Sequence, residues 1–238
     1  MMRLDKLLAH AGNGTRKEVK NYIKKGYVMV NGEVITDDGY KVDEINDEVT
    51  ILDKSVNYEK NYYIMLNKPD GYISATYDPN DPIVLDLIPD EIPLRGLFPV
   101  GRLDKDTEGL LLITNDGMLA HRMLSPKYHV DKKYYLEFDG KLDDKKIKKI
   151  ETGVELDDGY LTMPSKYESI NENSGYLIIK EGKYHQVKRM LEAVDCKVTY
   201  LKRIEFGSLK LDENLKLGET RLLTSDELEN IKLEAGLN

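Results

Sequence analysis

The order of apolar and polar positions divides the chain near residue 56. Leu4, Leu7, Leu8 and Ala11 recur at helical spacing and predict a first helix, closed by Gly12. Thr15 followed by Glu18 has the spacing of a capping box, so a second helix starts there. Val19, Tyr22 and Ile23 form its apolar stripe, and Gly26 ends it. The strand-like run Tyr27–Val30 leads into Asn31-Gly32, a pair that tolerates the positive φ of a tight hairpin, and then into 33–35. A strand over 48–52 completes the unit, and the polar, aperiodic stretch 53–61 reads as a linker.

Beyond it the pattern mixes both periods. Strands are predicted over 62–66, 109–114, 133–138, 176–179 and 197–204, and helices over 118–124, 143–150, 185–194 and 226–234. Hairpin signals are frequent and no regular strand–helix alternation occurs. The predicted fold class is therefore α+β: a small two-helix-plus-strands domain over 1–56, then a mixed, largely antiparallel sheet domain over 61–238.

Composition narrows the function classes. Of 238 residues, 43 are Asp or Glu and 35 are Lys or Arg, a net charge of -8 that excludes a polycationic nucleic-acid packager. The charge is unevenly spread. Residues 1–25 carry seven basic side chains (Arg3, Lys6, Arg16, Lys17, Lys20, Lys24, Lys25) against Asp5 and Glu18. On the second helix, Arg16, Lys17, Lys20 and Lys24 share an arc beside the apolar stripe. That arc fits a solvated helix face and an RNA phosphate footprint equally. Cys196, the single cysteine, excludes an internal disulfide and reads as a buried thiol. The N-terminus lacks the apolar core of a signal peptide, and the run Leu110–Ile113 is far short of a membrane span. A soluble, cytoplasmic protein is expected.

No phosphate loop, dinucleotide fingerprint or HExxH pair occurs, and His10, His121, His129 and His185 have no metal-ligand spacing. Two segments remain. GRLDKDTEGLLLITNDG (101–117) is a charged loop feeding an apolar strand, in which Asp104 or Asp106 could merely cap local amides. EGKYHQVKRML (181–191) could be a helix start with a solvated Lys-Arg pair. On its wheel Val187, Met190, Leu191 and Val194 form the apolar face, with Lys188 at the edge and Arg189 roughly opposite. Lys188 is thus placed to reach a cleft, and Arg189 to meet solvent or phosphate.

These segments resemble known motifs. RLDKLLAHAGNGTRKEVKNYIKKGYVMVNGEVI is similar to the S4 domain, an RNA-binding module, over residues 2–50. GRLDKDTEGLLLITNDG resembles the catalytic motif of pseudouridine synthases, KKYYLEF their second motif and EGKYHQVKRML their third; NKPDGYISA and LKRIEFGSLKL match as well. The resemblance covers nearly the whole chain. The KYHQVKRM form favours the branch that modifies small-subunit rRNA over its large-subunit relatives.

The resemblance implies roles. Asp104 stands at the position of the nucleophile, Tyr134 at that of the base-stacking tyrosine, and Lys188 at that of the basic partner of the aspartate. Where many relatives carry arginine, Lys188 offers a point charge rather than a fork. Arg102 resembles the arginine that fills the space left by the flipped base or contacts the backbone, and Tyr72 could line the cleft. Arg189, Arg3, Arg16, Lys17, Lys20 and Lys24 are expected on RNA. The reaction breaks the N1–C1′ bond of a uridine flipped from its stack, turns the base and rejoins it through C5. No atom is added and no oxidation state changes, so neither cofactor nor metal is expected. The expected partner is small-subunit (16S) rRNA or its assembly intermediate, met by a monomer. The alternatives are a large-subunit (23S) rRNA synthase and a catalytically silent rRNA-binding assembly factor.

Overall fold

The computed structural model describes residues 1–44, 46–56, 61–128 and 130–237, with Pro126 in its backbone alone. They form two compact units: Met1–Asn61 together with Pro89–Gly96, and Tyr62–Ile88 together with Leu97–Asn238.

The first unit contains β1 (Met2–Arg3), α1 (Leu4–His10), α2 (Arg16–Lys24), β2 (Val28–Val30), β3 (Glu33–Val34), β4 (Lys41–Val42), β5 (Val49–Ile51) and β6 (Lys54–Ser55). The capping box forms: Glu18 N donates to Thr15 Oγ1 at 3.3 Å and Thr15 N donates to a Glu18 carboxylate oxygen at 2.7 Å. Leu4, Leu7 and Leu8 pack with Val19, Ile23, Val28, Val30, Val49 and Ile51 in one core. Strand order is β3-β2-β5-β6, with β1 paired to β4 apart from it. Asn31 and Gly32, at φ 52° and 81°, make the anticipated hairpin turn.

A second hairpin follows where the pattern predicts a linker. Leu52 and Asp53 adopt φ 49° and 62°, and β6 returns along β5. A leucine in the left-handed region carries no turn signature, so the linker cannot begin at 53. Residues 57–60 of the predicted linker, like His129, lie outside the described residues.

The second unit contains β7 (Tyr63–Lys68), β8 (Phe98–Pro99), β9 (Glu108–Thr114), α3 (Gly117–Leu124), β10 (Lys132–Asp139), α4 (Asp144–Thr152), β11 (Lys166–Asn171), β12 (Ser174–Ile179), α5 (Gln186–Glu192), β13 (Lys197–Phe206), β14 (Leu209–Lys210), β15 (Thr220–Leu222) and α6 (Ser225–Glu234). The sheet runs β11-β12-β10-β13-β9-β7-β15, with β14 added to β13 and β8 to β9. Every predicted strand and helix of this region is present, with shifted ends. The sheet is largely antiparallel, as expected; β13 and β9 pair in parallel. There Gly109 sits at φ 100°, and a Cβ on it would lie 2.2 Å from the carbonyl oxygen of Arg203, so only glycine allows the two strands to join. On one side of the sheet Met65, Leu110 and Leu112 pack with Leu119 and Met123 of α3 and Ile231 of α6. Among the described residues no helix is long and apolar enough to cross a membrane.

Candidate active site

The site grows out of the loop that precedes β9. Leu103 is buried and anchors the loop, and its backbone is clamped by one buried hydroxyl: Ser74 Oγ donates to Leu103 O at 3.0 Å and accepts from Leu103 N at 3.1 Å. Three residues beyond Asp104 the chain has folded back, with Thr107 N donating to Asp104 O at 3.1 Å. Lys68, the last residue of β7, is fully buried and donates to Pro69 O at 3.0 Å, Lys105 O at 2.9 Å and Thr107 O at 2.8 Å. Burial pushes the Lys68 ammonium down to about 8. Thus the NKPDGYISA segment acts as a cradle for the Asp104 turn. Its working residues are Lys68 and Ser74. A lysine closing a strand that opens with four apolar residues is the signal available in the sequence.

Opposite the loop, α5 delivers the cation. Lys188 Nζ lies 3.3 Å from Asp104 Oδ2 and 2.6 Å from Asp106 Oδ1. Desolvation acts to lower its pKa, but the bond to Asp106 and the charge of Asp104 outweigh it and hold the ammonium above its ordinary range. Asp106 is correspondingly depressed: desolvation opposes ionisation, and Lys188 more than offsets it. Asp104 is 25% exposed at its side chain, so it has the cation on one side and an opening on the other.

That opening is a cleft lined by Arg102, Asp104, Thr107, Tyr134, Lys183 and His185, with Ile179, Val187 and Leu201 among its apolar walls. Tyr134 comes from β10, whose alternate residues Tyr134, Leu136 and Phe138 face inward. Behind it Arg203 is fully buried; burial pushes its guanidinium below its usual range, while the Tyr134 hydroxyl beside it acts the other way. Arg203 Nε donates to Leu110 O at 2.8 Å. The structure therefore brings Asp104, Tyr134 and Arg102 to one cleft, with Lys188 on Asp104 but outside the cleft lining. Tyr72 is absent from its lining. His185, which the search for metal-ligand spacing passed over, is part of it: its Nε2 lies 3.5 Å from Asp104 Oδ1.

Arg189 departs from expectation. It is absent from the cleft lining, in keeping with the wheel, but it does not stand free for solvent or phosphate. Its guanidinium is bound by Asp157, lies 2.8 Å from Asp158 Oδ2, donates to Tyr184 O at 3.2 Å and is 13% exposed. Its charge is neutralised locally by a turn some thirty positions away, a pairing no helical wheel contains.

In the first unit, Arg3, Arg16 and Lys20 converge on the buried Asp5, at 3.0, 3.7 and 3.7 Å. Lys20 also reaches Asp38 at 3.2 Å. Lys17 joins them around a shallow depression, and Lys24 is exposed farther along α2. The basic face exists, organised around an aspartate. Cys196 is buried, and burial pushes its thiol up. Among the described residues no group of three His, Cys, Asp or Glu side chains is placed to hold a metal ion.

Comparison with known proteins places this geometry. Residues 62–193 match the family model described as RNA pseudouridylate synthase, and residues 2–49 that of the S4 domain. An uncharacterised RNA pseudouridine synthase of Bacillus subtilis is 49% identical, over 95% of this chain and 97% of its own. The ribosomal small subunit pseudouridine synthase A of Vibrio cholerae is 39% identical, over 97% and 99%. The ribosomal large subunit pseudouridine synthase B of Bacillus subtilis is 38% identical, over 98% and 96%. A pseudouridylate synthase of known crystal structure superposes with a TM-score of 0.68 at 34% identity, covering 97% of this chain and all of that one.

Proposed function

The chain belongs to the RNA pseudouridylate synthase family, and from that premise we propose that it isomerises one uridine of small-subunit rRNA in the cytoplasm, acting as a monomer, with Asp104 as the catalytic carboxylate. The observation that carries the site is the Lys188 ammonium 3.3 Å from Asp104, beside a cleft that Tyr134 lines. An opposite charge at that distance holds and orients the carboxylate. Asp104 then acts either covalently on sugar or base or by removing the C2′ proton. Tyr134 stacks on the flipped uracil, a contact of about 1–3 kcal/mol by analogy with single-strand binders. Arg102 fills the space that the base vacates.

Residues 1–56 form the S4 RNA-binding domain and residues 61–238 the catalytic domain in this reading. Arg3, Arg16, Lys17, Lys20 and Lys24 supply phosphate contacts and affinity. Arg189, bound to two aspartates, acts instead as a brace of α5. The preference for the small subunit rests on the KYHQVKRM segment (183–190). Relatives named for either subunit stand at nearly equal identity, 39% and 38%, so a large-subunit uridine is the second reading. Purified protein is incubated with unmodified 16S and 23S rRNA and with small-subunit assembly intermediates. Carbodiimide adducts that stop reverse transcription then report pseudouridine. One new stop in 16S rRNA is expected; a stop in 23S rRNA alone replaces the target, and binding without any stop points to the silent assembly factor.

A further inference from the structure

The loop before α5 presents an aromatic ring that the reaction leaves unused. Tyr184 is 76% exposed, yet its ring is not loose. It stacks on the imidazole of His185, with centroids 3.8 Å apart and planes at 19°. His185 lines the cleft, and its Nε2 lies 3.5 Å from Asp104 Oδ1, so the carboxylate favours an N–H there and steadies the ring. The inner ring of the stack is thus tied to Asp104. The outer ring stands just outside the cleft lining with its far face uncovered.

We propose that the Tyr184–His185 stack is a platform for the base of a nucleotide next to the target uridine, an inference that rests on the proposed isomerisation of uridine in this cleft. Tyr184 makes the contact, and His185 supports it from behind.

The loop is built to hold the platform still. Glu181 and Gln186 are buried polar residues at its two ends, and Gln186 Nε2 donates to Glu181 Oε1 at 2.9 Å. The Tyr160 hydroxyl donates to Glu181 Oε2 at 2.7 Å, and Lys183 N donates to Gln186 Oε1 at 2.9 Å. Arg189 adds a bond to Tyr184 O at 3.2 Å. His185 completes the turn in the left-handed region, at φ 48° and ψ 33°, an uncommon conformation for a residue with a Cβ. Such strain persists where the surroundings impose it, and it clusters at functional sites. A ring fixed in this way loses little freedom when a ligand lands on it, so more of the contact appears as affinity.

The chemistry of the ring and its neighbours points to a nucleobase. Extruding one uridine costs it the stacking with the nucleotides beside it. Arg102 fills the gap itself, and a planar ring at the cleft rim gives a neighbouring base a new partner. Base–aromatic stacking suits this use because every base has a π-face. Lys183, the residue before Tyr184, lies in the cleft lining and supplies positive charge for the phosphate of that nucleotide. Tyr134 is buried inside the cleft and cannot serve a second base.

The test uses the rRNA fragment around the modified uridine, made with every base present or with an abasic nucleotide on its 5′ or its 3′ side. Tyr184→Ala should weaken binding of the complete fragment about tenfold, the scale of one lost base–aromatic stack. Its single-turnover rate at saturating RNA should match wild type, because the ring touches no reacting atom. Tyr184→Phe should bind like wild type, since the ring and not the hydroxyl makes the contact. With the abasic nucleotide on one of the two sides, wild type should lose the same tenfold and Tyr184→Ala nothing further. A Tyr184→Ala protein that binds the complete fragment like wild type, or losses that add on both sides, would overturn the platform and leave Asp104 untouched. A wild type that forms no pseudouridine in any rRNA overturns the proposed function, and the platform with it.

Discussion

Asp5 and Asp104 are both aspartates ringed by cations, one in each unit, and their surroundings give them opposite uses. Asp5 is 1% exposed and bound by Arg3 at 3.0 Å, with Arg16 and Lys20 each at 3.7 Å. Its charge is saturated, and the three cations cover it almost completely at the floor of a shallow basic depression. Asp104 has Lys188 on one oxygen and His185 near the other, and a quarter of its side chain opens on a cleft with an aromatic wall. The first carboxylate gathers cations into a surface; the second is held by one cation so that it can act. The number of cations around a carboxylate therefore says little. The decisive feature is whether the carboxylate itself stays open to a partly desolvated cleft, as Asp104 does and Asp5 does not.

The largest effect that sharpens this contrast should come from Lys188. Lys188→Met leaves Asp104 without its fixed counter-charge, and single-turnover rates should drop by about two orders of magnitude or more, as for loss of one electrostatic group in an active site. RNA affinity, read by filter binding, should change little. A variant that loses affinity and keeps its rate would make Lys188 another Arg3.

Asp5→Asn breaks the other side of the comparison. Losing a charged acceptor from a buried cluster should destabilise the first unit by about 2 kcal/mol in urea unfolding at neutral pH. Desolvation pushes the Asp5 carboxyl up, but the bond to Arg3 and the charges of Arg16 and Lys20 outweigh it, so the folded pKa lies below the usual carboxylate range. A lowered folded pKa stabilises above the unfolded value and loses that contribution as pH falls through the folded one. The gap between wild type and variant should thus close below about pH 4, where a free aspartate begins to protonate. A gap that widens in acid would reverse the sign of the interaction.

Ser74→Ala tests how far the Asp104 loop depends on its cradle. It strands both the N–H and the C=O of Leu103, and a small displacement of the carboxylate should slow turnover by about tenfold with KM unchanged. Arg189→Met should do least, since Asp157 and Asp158 already neutralise that charge. RNA affinity should stay within about twofold, the scale of an exposed ion pair. A larger loss would return Arg189 to the RNA-facing set.

Much of this was legible because it is local. The capping box of α2, the Asn31-Gly32 hairpin and the apolar run of β9 are each written within a few residues. β11 was missed because it is an edge strand with one buried residue, Tyr167, and so shows no alternation. β6 was missed because its turn uses Leu52 and Asp53 at positive φ without a glycine. The cleft is legible only through motifs, which single out Asp104, Tyr134 and Lys188 but carry no distances between them. Partners distant in sequence stayed hidden: Asp157 and Asp158 for Arg189, and the loop carbonyls for Lys68. His185 has no metal-ligand spacing, and its proximity to Asp104 depends on a loop and a helix start 81 positions apart meeting in space.

The most direct test exchanges the same group in both settings. Asp104→Asn and Asp5→Asn each replace a carboxylate by an amide of equal shape, and pseudouridine formed per enzyme in rRNA is measured for both at saturating substrate. With Asp104 as the reacting carboxylate, Asp104→Asn should form none above background while folding and binding rRNA like wild type. Asp5→Asn should retain turnover, with a changed stability only. An Asp104→Asn protein that still isomerises uridine would contradict the account.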